Sequence, residues 1–252
     1  MISRIVINLC GRKRTGKESA FKVIQPYVDR PGEFQFATPL KKFCIEVLGL
    51  TQDQCYGTSA DRETPTKYNW SWVDSDIRKK YGKPDEQVMT ARDVLQVVGT
   101  DLMRQKFYRN VWAEAGIREA VNSTANTCIF TDGRFPNELD SSRDAWTMDQ
   151  SFMPSSIVVR LYRDTGLSDG HDSETALDIY DIEPNQRRIA PEHRNKLIER
   201  GYREINESLW ESDSSELPFD YLLDNNSTIE SLQTNIFFIL KKRAILVEPS
   251  LS

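Results

Sequence analysis

Residues 5–19 read IVINLCGRKRTGKES and join an apolar run of strand length to a glycine-containing loop and a helix-prone stretch. Gly11, Gly16 and Lys17 stand at the spacing GxxxxGK. The glycines of such a loop let backbone N–H groups turn inward, the following helix presents its positive end, and the lysine reaches the outer phosphates of a nucleotide. Because a strand precedes the loop and a helix follows it, the pattern predicts a phosphate-binding loop.

The position after the lysine departs from the usual form of this loop. A Ser or Thr that binds Mg²⁺ normally stands there, whereas this chain has Glu18 followed by Ser19. The loop is also basic, with Arg12, Lys13 and Arg14 in succession. Such a run is either a solvated turn or a set of cations for the charge that builds up during phosphoryl transfer, and both interpretations stay open.

The composition restricts the class of function. A chain of 252 residues suits one α/β domain with insertions or two small domains. Its net charge of -5 argues against a nucleic-acid surface, which needs extensive phosphate neutralisation. The opening apolar run is too short for a signal peptide, and no stretch approaches the length of a membrane span. We therefore expect a cytoplasmic protein with neither a nucleic-acid nor a membrane partner.

Five apolar runs rich in β-branched residues predict strands, at 5–9, 33–37, 127–131, 156–162 and 219–223. Their continuous hydrophobicity is typical of strands buried on both faces, and the helical patterns between them imply right-handed crossovers. Helices are predicted at 17–28, 39–48, 90–106, 108–121, 135–146 and 228–243. The expected fold class is α/β, with about five parallel strands between helices.

We expect a single domain over 1–252. Its core is predicted at about 1–50, 90–180 and 217–243. Two insertions separate these parts: an irregular polar and aromatic segment at 51–89, and a charged helical segment at 183–216.

Polar side chains follow the predicted strands, where ligands of parallel α/β sheets bind. Asp132 is either a Mg²⁺ ligand or the cap of the next helix. Arg134 could clamp a phosphoryl group while Glu138 orients it, or the two form a structural ion pair. Arg160 and Arg163 flank the end of the fourth strand, where a lid could bring them over phosphates.

A second group of candidates lies in the middle of the chain. Arg92, Gln96 and Gly99 are spaced by four and three residues and therefore share a helix face. A cation, an amide and the space left by a glycine suit a small ligand with a phosphate and a hydrogen-bonding base. The ordinary alternative for each polar residue is a solvated position on the helix surface. Trp112 is more often a core residue than a stacking platform.

Seven short motifs follow one another along the chain: GRKRTGKES, FATPLKK, DRET, RDVLQVVGTDLMR with VW downstream, TDGRFPNELD, RD with HDSE further on, and LLDNNSTIESL. They cover most of 1–178 and 219–241. In these motifs the chain resembles the bacteriophage deoxynucleoside monophosphate kinases, a branch of the three-layer P-loop NTPase fold that is NMP-kinase-like. That family also places an acidic residue after the lysine.

The resemblance implies Mg²⁺-dependent transfer of the γ-phosphoryl group of ATP to a dNMP, in the host cytoplasm if the chain is viral. Lys17, Arg134 and Asp132 would carry the transfer, and Glu18, Ser19 and Asp132 would hold the metal. With the patterns above, the candidates for ATP are Gly11, Lys13, Arg14, Thr15, Gly16, Lys17, Glu18, Ser19, Arg163 and Asn225, the last near the adenine. The candidates for dNMP are Lys41, Arg62, Arg92, Gln96, Gly99, Thr100, Trp112, Arg134 and Glu138.

Two alternatives remain. The chain also resembles animal phosphomevalonate kinases in its basic loop, its PLK segment and its D-x-R element, whereas GTDLMR and DRET resemble the nucleotide enzymes. Glu18 in the usual hydroxyl position is the one feature that suits a nucleotide-binding protein without activity. The sequence leaves a homodimer open.

Overall fold

The computed structural model describes residues 4–144, 155–166, 175–183, 185–214 and 216–247. It divides into two compact units, the first from residues up to 35 and from 117 onward, the second from residues 36–116. The prediction of one domain for the whole chain stays a prediction. Every helix among the described residues is too short or too polar to cross a lipid bilayer.

The strands are β1 (Ile5–Cys10), β2 (Pro31–Phe34), β3 (Pro65–Asn69), β4 (Val88–Thr90), β5 (Thr127–Gly133), β6 (Ser155–Tyr162), β7 (Tyr202–Asn206), β8 (Leu209–Ser212) and β9 (Tyr221–Asp224). The α-helices are α1 (Lys17–Ile24), α2 (Thr38–Glu46), α3 (Gln52–Tyr56), α4 (Ser59–Arg62), α5 (Ser75–Tyr81), α6 (Ala91–Gln96), α7 (Val111–Val121), α8 (Pro136–Asp144), α9 (Arg194–Glu199) and α10 (Ile229–Lys242). A π-helix, Val97–Phe107, directly continues α6.

The first unit contains a seven-stranded sheet in the order β2-β5-β1-β6-β9-β8-β7. The five strands from β2 to β9 are mutually parallel, and each overlaps one of the five predicted runs. The overlap is smallest for β2, which begins at Pro31 and ends at Phe34, whereas the prediction was 33–37. The predicted strand count was too low because β8 and β7 extend the sheet as an antiparallel hairpin. This hairpin lies in 183–216, which was predicted to be helical. Its two strands have only five and four residues and carry several charges, so no apolar run marks them.

Alternate side chains of β6 enter two separate cores. Ile157 and Val159 belong to one core, which helices α1 and α10 cover. Val158 and Tyr162 belong to the other, to which α8 contributes Leu139. Helices therefore lie on both faces of the central sheet, as the uninterrupted hydrophobicity of its strands predicts.

The second unit combines the antiparallel pair β3–β4 with short helices. The segment 51–89 was predicted to be irregular, but it contains α3, α4, α5 and β3 as well as the first two residues of β4. Trp70 lies fully buried in the core of this unit. Thr90 and Asp93 form a capping box at the start of α6, in which each side chain accepts the backbone N–H of the other.

Candidate active site

The loop between β1 and α1 requires glycine at two positions. Gly11 has φ +148° and Gly16 has φ +98°, both in a region that L side chains rarely adopt. A Cβ on Gly11 would lie 2.6 Å from the carbonyl oxygen of Leu161, and one on Gly16 would lie 2.2 Å from Nδ2 of Asn225. The two glycines of the GxxxxGK spacing are therefore explained by backbone conformation and close packing. We call residues 11–17 the phosphate loop.

The start of α1 lacks a side-chain cap among the described residues, and Gly16 is its N-cap. The N–H groups of a first helical turn have no partner within the helix, and they carry the positive end of the dipole. Arg14 (φ +63°) and Gly16 put left-handed residues just before the helix, a backbone shape that gathers N–H groups into a concavity. The loop thus fits the phosphates of a nucleotide.

Lys17 lies inside the phosphate loop and is only 7% exposed. Its Nζ donates hydrogen bonds to the carbonyl oxygens of Gly11 and Arg12, both at 2.7 Å. These acceptors hold the ammonium group in one place, so its charge is preorganised at the loop.

The three cations of the basic run have different environments. Arg12 is 5% exposed and forms a bidentate ion pair with Asp178, with Nε 3.2 Å from Oδ1. Its Nη2 also donates to Oδ1 of Asn185 at 3.2 Å. Lys13 is half-buried, and Arg14 is exposed. Neither predicted interpretation of the run describes Arg12, which is a buried structural cation.

The predicted metal ligands are spread over two elements. Glu18 is exposed and Ser19 half-buried in the first turn of α1, and Asp132 is half-buried near the end of β5. Within the described ranges no group of three or more His, Cys, Asp or Glu residues is placed to hold a metal ion. This donor set is still compatible with Mg²⁺, which is usually bound by one or two carboxylates together with substrate phosphates and water.

Glu138 organises the backbone that follows β5. Its side chain is buried, and its Oε2 accepts hydrogen bonds from the N–H groups of Arg134 at 2.8 Å and Phe135 at 3.1 Å. The N–H of Gly11 donates to the carbonyl of Gly133 at 3.1 Å, which joins this segment to the phosphate loop. Glu138 therefore fixes the backbone position from which Arg134 extends.

Asn225 lies beside the phosphate loop. It is 6% exposed, and its Nδ2 donates to the carbonyl of Thr15 at 2.9 Å. Its own N–H donates to the carbonyl of Tyr162 at 2.8 Å. The resemblance implied a position near adenine, whereas the observed contacts connect Asn225 to the loop backbone. Arg163, one residue after β6, is exposed.

In the second unit, two candidate arginines lie near α4. Arg92 forms an ion pair with Glu63, and Nη2 of Arg62 donates to the carbonyl of Gly57 at 3.3 Å. Nε of Arg62 is buried and has no hydrogen-bond partner within the described part of the chain. Lys41 places its Nζ 4.5 Å from the ring centroid of Tyr56.

The remaining candidates of the second unit are less exposed. Trp112 is 5% exposed, its Nε1 donates to the carbonyl of Gly99 at 3.0 Å, and its ring lies 6.3 Å from that of Phe43. It is thus a core residue, the more common of the two alternatives. A Cβ on Gly99 would lie 2.5 Å from Cδ2 of Leu40. Thr100 is buried and Gln96 half-buried.

A buried charged cluster that the sequence patterns did not indicate contacts the phosphate loop at Arg12. Arg160 was expected near a lid but is only 2% exposed, with Nη2 3.4 Å from both carboxylate oxygens of Asp181. The hydroxyl of Tyr162 donates to the same carboxylate at 2.8 Å. Burial raises the pKa of Asp181, while the Arg160 charge acts in the opposite direction. An arginine within the apolar run SIVVRLY was the available signal, because a buried arginine requires acidic partners.

Burial also decides the chemistry of Cys10 beside this cluster. It raises the pKa of the Cys10 thiol to about 12, so the group is a neutral packing residue at physiological pH. Cys128, in the neighbouring strand β5, is buried as well.

Two curated proteins are similar to this chain, and no protein-family model matches it. A protein of Acanthamoeba polyphaga mimivirus, provisionally named a deoxynucleotide monophosphate kinase, is 32% identical over 149 residues, which are 54% of this chain and 67% of the mimivirus protein. The deoxynucleoside-5'-monophosphate kinase of Escherichia phage T5 is 22% identical over 213 residues, which are 69% of this chain and 85% of the phage protein.

The fold and the relatives agree on the class of protein. The chain is an α/β protein with a mostly parallel central sheet, and it belongs to the deoxynucleoside monophosphate kinase family. The resemblance drawn from the seven sequence motifs is thereby confirmed.

Proposed function

We propose that this protein is a P-loop deoxynucleoside monophosphate kinase, which transfers the γ-phosphoryl group of ATP to a dNMP and so supplies precursors for DNA synthesis. The observation that carries the proposal is the buried Lys17, held by two loop carbonyls at the N-terminus of α1. This is the geometry expected of a group that grips phosphates. Membership of the kinase family supports dNMP as the acceptor.

The first unit would contribute the charge that phosphoryl transfer needs. This reaction requires little covalent help from a protein, so positioning and charge neutralisation account for most of the catalysis. The amides of α1 and Lys17 bind ATP phosphates, and Arg134 stabilises the group in transfer. Glu18, Ser19 and Asp132 are the residues proposed to hold Mg²⁺, which would neutralise negative charge on the ATP phosphates.

The second unit would supply contacts to the acceptor. Arg62 and Arg92 are proposed to bind the phosphate of the dNMP, and the buried Nε of Arg62 still has a donor to offer. Lys41, Gln96, Gly99 and Thr100 are proposed to line the rest of the dNMP site. Trp112 would act by packing beneath Gly99, because its ring is buried and its N–H is already engaged.

A coupled assay of ADP formation tests the proposal directly. ATP and Mg²⁺ are supplied with dGMP, dTMP, dAMP, dCMP or phosphomevalonate in turn. We expect ADP formation with at least one dNMP and none with phosphomevalonate. Turnover of phosphomevalonate alone would support the alternative small-molecule kinase, and binding of ATP without transfer to any acceptor would support an inactive nucleotide-binding protein.

A further inference from the structure

One backbone carbonyl organises the polar groups of the phosphate loop. The carbonyl oxygen of Arg12 accepts from Nζ of Lys17 at 2.7 Å, from Oγ1 of Thr15 at 2.9 Å and from the N–H of Thr15 at 3.4 Å. The position of the Lys17 ammonium therefore depends on where residue 12 is held.

The side chain of the same residue is anchored from outside the loop. Asp178, in the 3-10 helix Asp178–Tyr180, accepts two hydrogen bonds from the Arg12 guanidinium. A bidentate pair of this kind fixes orientation as well as distance. The Arg12 side chain is about 6% exposed and that of Asp178 18%, so both ends of the pair are largely desolvated.

Asp178 is itself part of a larger charged cluster. It lies 3.8 Å from Arg160, which also pairs with Asp181 at 3.4 Å. Two arginines and two aspartates balance each other in formal charge, as a buried cluster requires. Arg160 belongs to β6, and so does Tyr162, whose hydroxyl donates to Asp181.

A second chain of contacts connects the cluster to the phosphate loop. The carbonyl of Tyr162 accepts the N–H of Asn225 at 2.8 Å, and Nδ2 of Asn225 donates to the carbonyl of Thr15 at 2.9 Å. The loop is thus held at residue 12 by an ion pair and at residue 15 by an amide, both belonging to one connected set of contacts.

From this arrangement we infer that Arg12 and Asp178 are positioning residues for phosphoryl transfer, acting through Lys17. The inference rests on the proposed kinase function. The ion pair holds the Arg12 carbonyl, and the carbonyl holds the Lys17 ammonium. Weakening the pair should displace the ammonium from the transferred group, and a displacement of about 1 Å is enough to lower kcat by up to roughly 10²-fold. The KM for dNMP should change little.

The first test compares two aspartates that each bridge two arginines. Asp220 contacts Arg243 at 3.1 Å and Arg143 at 3.5 Å. Its side chain is 15% exposed, a fraction similar to the 18% of Asp178. None of its hydrogen bonds or ion pairs in the described ranges reaches the phosphate loop. We expect Asp178→Asn to lower kcat at least about tenfold and Asp220→Asn to leave it within about twofold. Equal effects on kcat would overturn the inference.

The second test asks whether Lys17 transmits the effect. In a Lys17→Ala background, Asp178→Asn should change kcat by less than about twofold, because residues that act as a unit are not additive. A further loss as large as in the wild-type background would show that Asp178 has a merely structural role. Thermal unfolding of all variants identifies any that fail to fold, and Asp178→Glu then serves as the milder replacement.

Calorimetric titration with ATP separates this inference from the kinase proposal. If the wild-type protein phosphorylates no monophosphate, the proposed function is wrong, yet binding of ATP still reports on the loop. We expect Asp178→Asn to weaken ATP binding about tenfold in the wild-type background and not in the Lys17→Ala background. Unchanged ATP affinity together with unchanged kcat would refute the positioning role.

Discussion

Helices α1 and α10 pack in the same core of the first unit but begin in opposite ways. Thr228 caps α10, and its side chain accepts the N–H of Ser231 at 3.3 Å. At the start of α1 stands Gly16, and no side chain in the described part of the chain caps that helix. The first turn of α10 is thus stabilised by its own sequence, whereas the first turn of α1 has no such side-chain cap. On the proposed function, the N–H groups at the start of α1 are the ones that a nucleotide phosphate would accept from.

The largest expected effect comes from removing the charge at the start of α1. Lys17→Ala should reduce turnover at least about 10²-fold, the scale seen when one group that stabilises transition-state charge is lost. The coupled ADP assay measures this. The matched control is Lys22→Ala, since Lys22 is an exposed lysine on the same helix. Near-normal turnover in Lys17→Ala would remove α1 from the mechanism.

The second effect concerns Gly16, the N-cap residue of α1. Gly16→Ala should strain the left-handed residue by about 1–2 kcal/mol. It should also push the new methyl group against Asn225, which would weaken ATP binding about tenfold. Gly82→Ala is the control, because Gly82 also has positive φ (+60°) but no described atom lies within 4 Å of its added Cβ. Calorimetry should show lost ATP affinity in the first variant and not in the second.

The third effect concerns the capped helix. Thr228→Ala should lower the free energy of unfolding by about 1 kcal/mol, because the N–H of Ser231 loses its acceptor. Thr228→Ser keeps the hydroxyl and should stay near the wild type. Denaturant unfolding measures both, and ATP affinity should be unchanged in each. A loss of ATP affinity in Thr228→Ala would show that the start of α10 also serves binding.

The smallest effect is a pH dependence at the same helix start. The hydrogen bond from the Thr228 side chain, followed by one from the backbone, lowers the pKa of Glu230 below its ordinary value of 4.5. Its contribution to stability is therefore fully present above pH 4.5 and is lost as the pH falls through the lowered pKa. Thermal unfolding from neutral to acidic pH should show a shallower acid decline for Glu230→Gln. Thr228→Ala, which removes the first-named hydrogen bond, should make the acid decline shallower in the same direction.

The fold was predictable where hydrophobicity is continuous and turns are marked. All five parallel strands and the helix after the phosphate loop overlap their predicted ranges, because each has a local pattern long enough to recognise, although the boundaries of β2 and the end of α1 differ from the prediction. The hairpin β7–β8 was missed, since short charged strands are stabilised by pairing with β9 and not by their own composition.

In the candidate site, too, local features were predictable from the sequence and contacts between distant residues were not. Gly11, Gly16 and Lys17 are identified by spacing, because backbone conformation and reach are local properties. The role of Arg12 depends on Asp178, which is 166 residues away in the chain, and the contact between Thr15 and Asn225 spans 210 residues. A sequence shows that a charge is present but not which distant group will be buried beside it. Whether an arginine of the basic run binds a ligand or pairs with an aspartate is decided by the tertiary structure. A buried charge needs a partner of opposite charge, and folding determines which distant residue lies beside it.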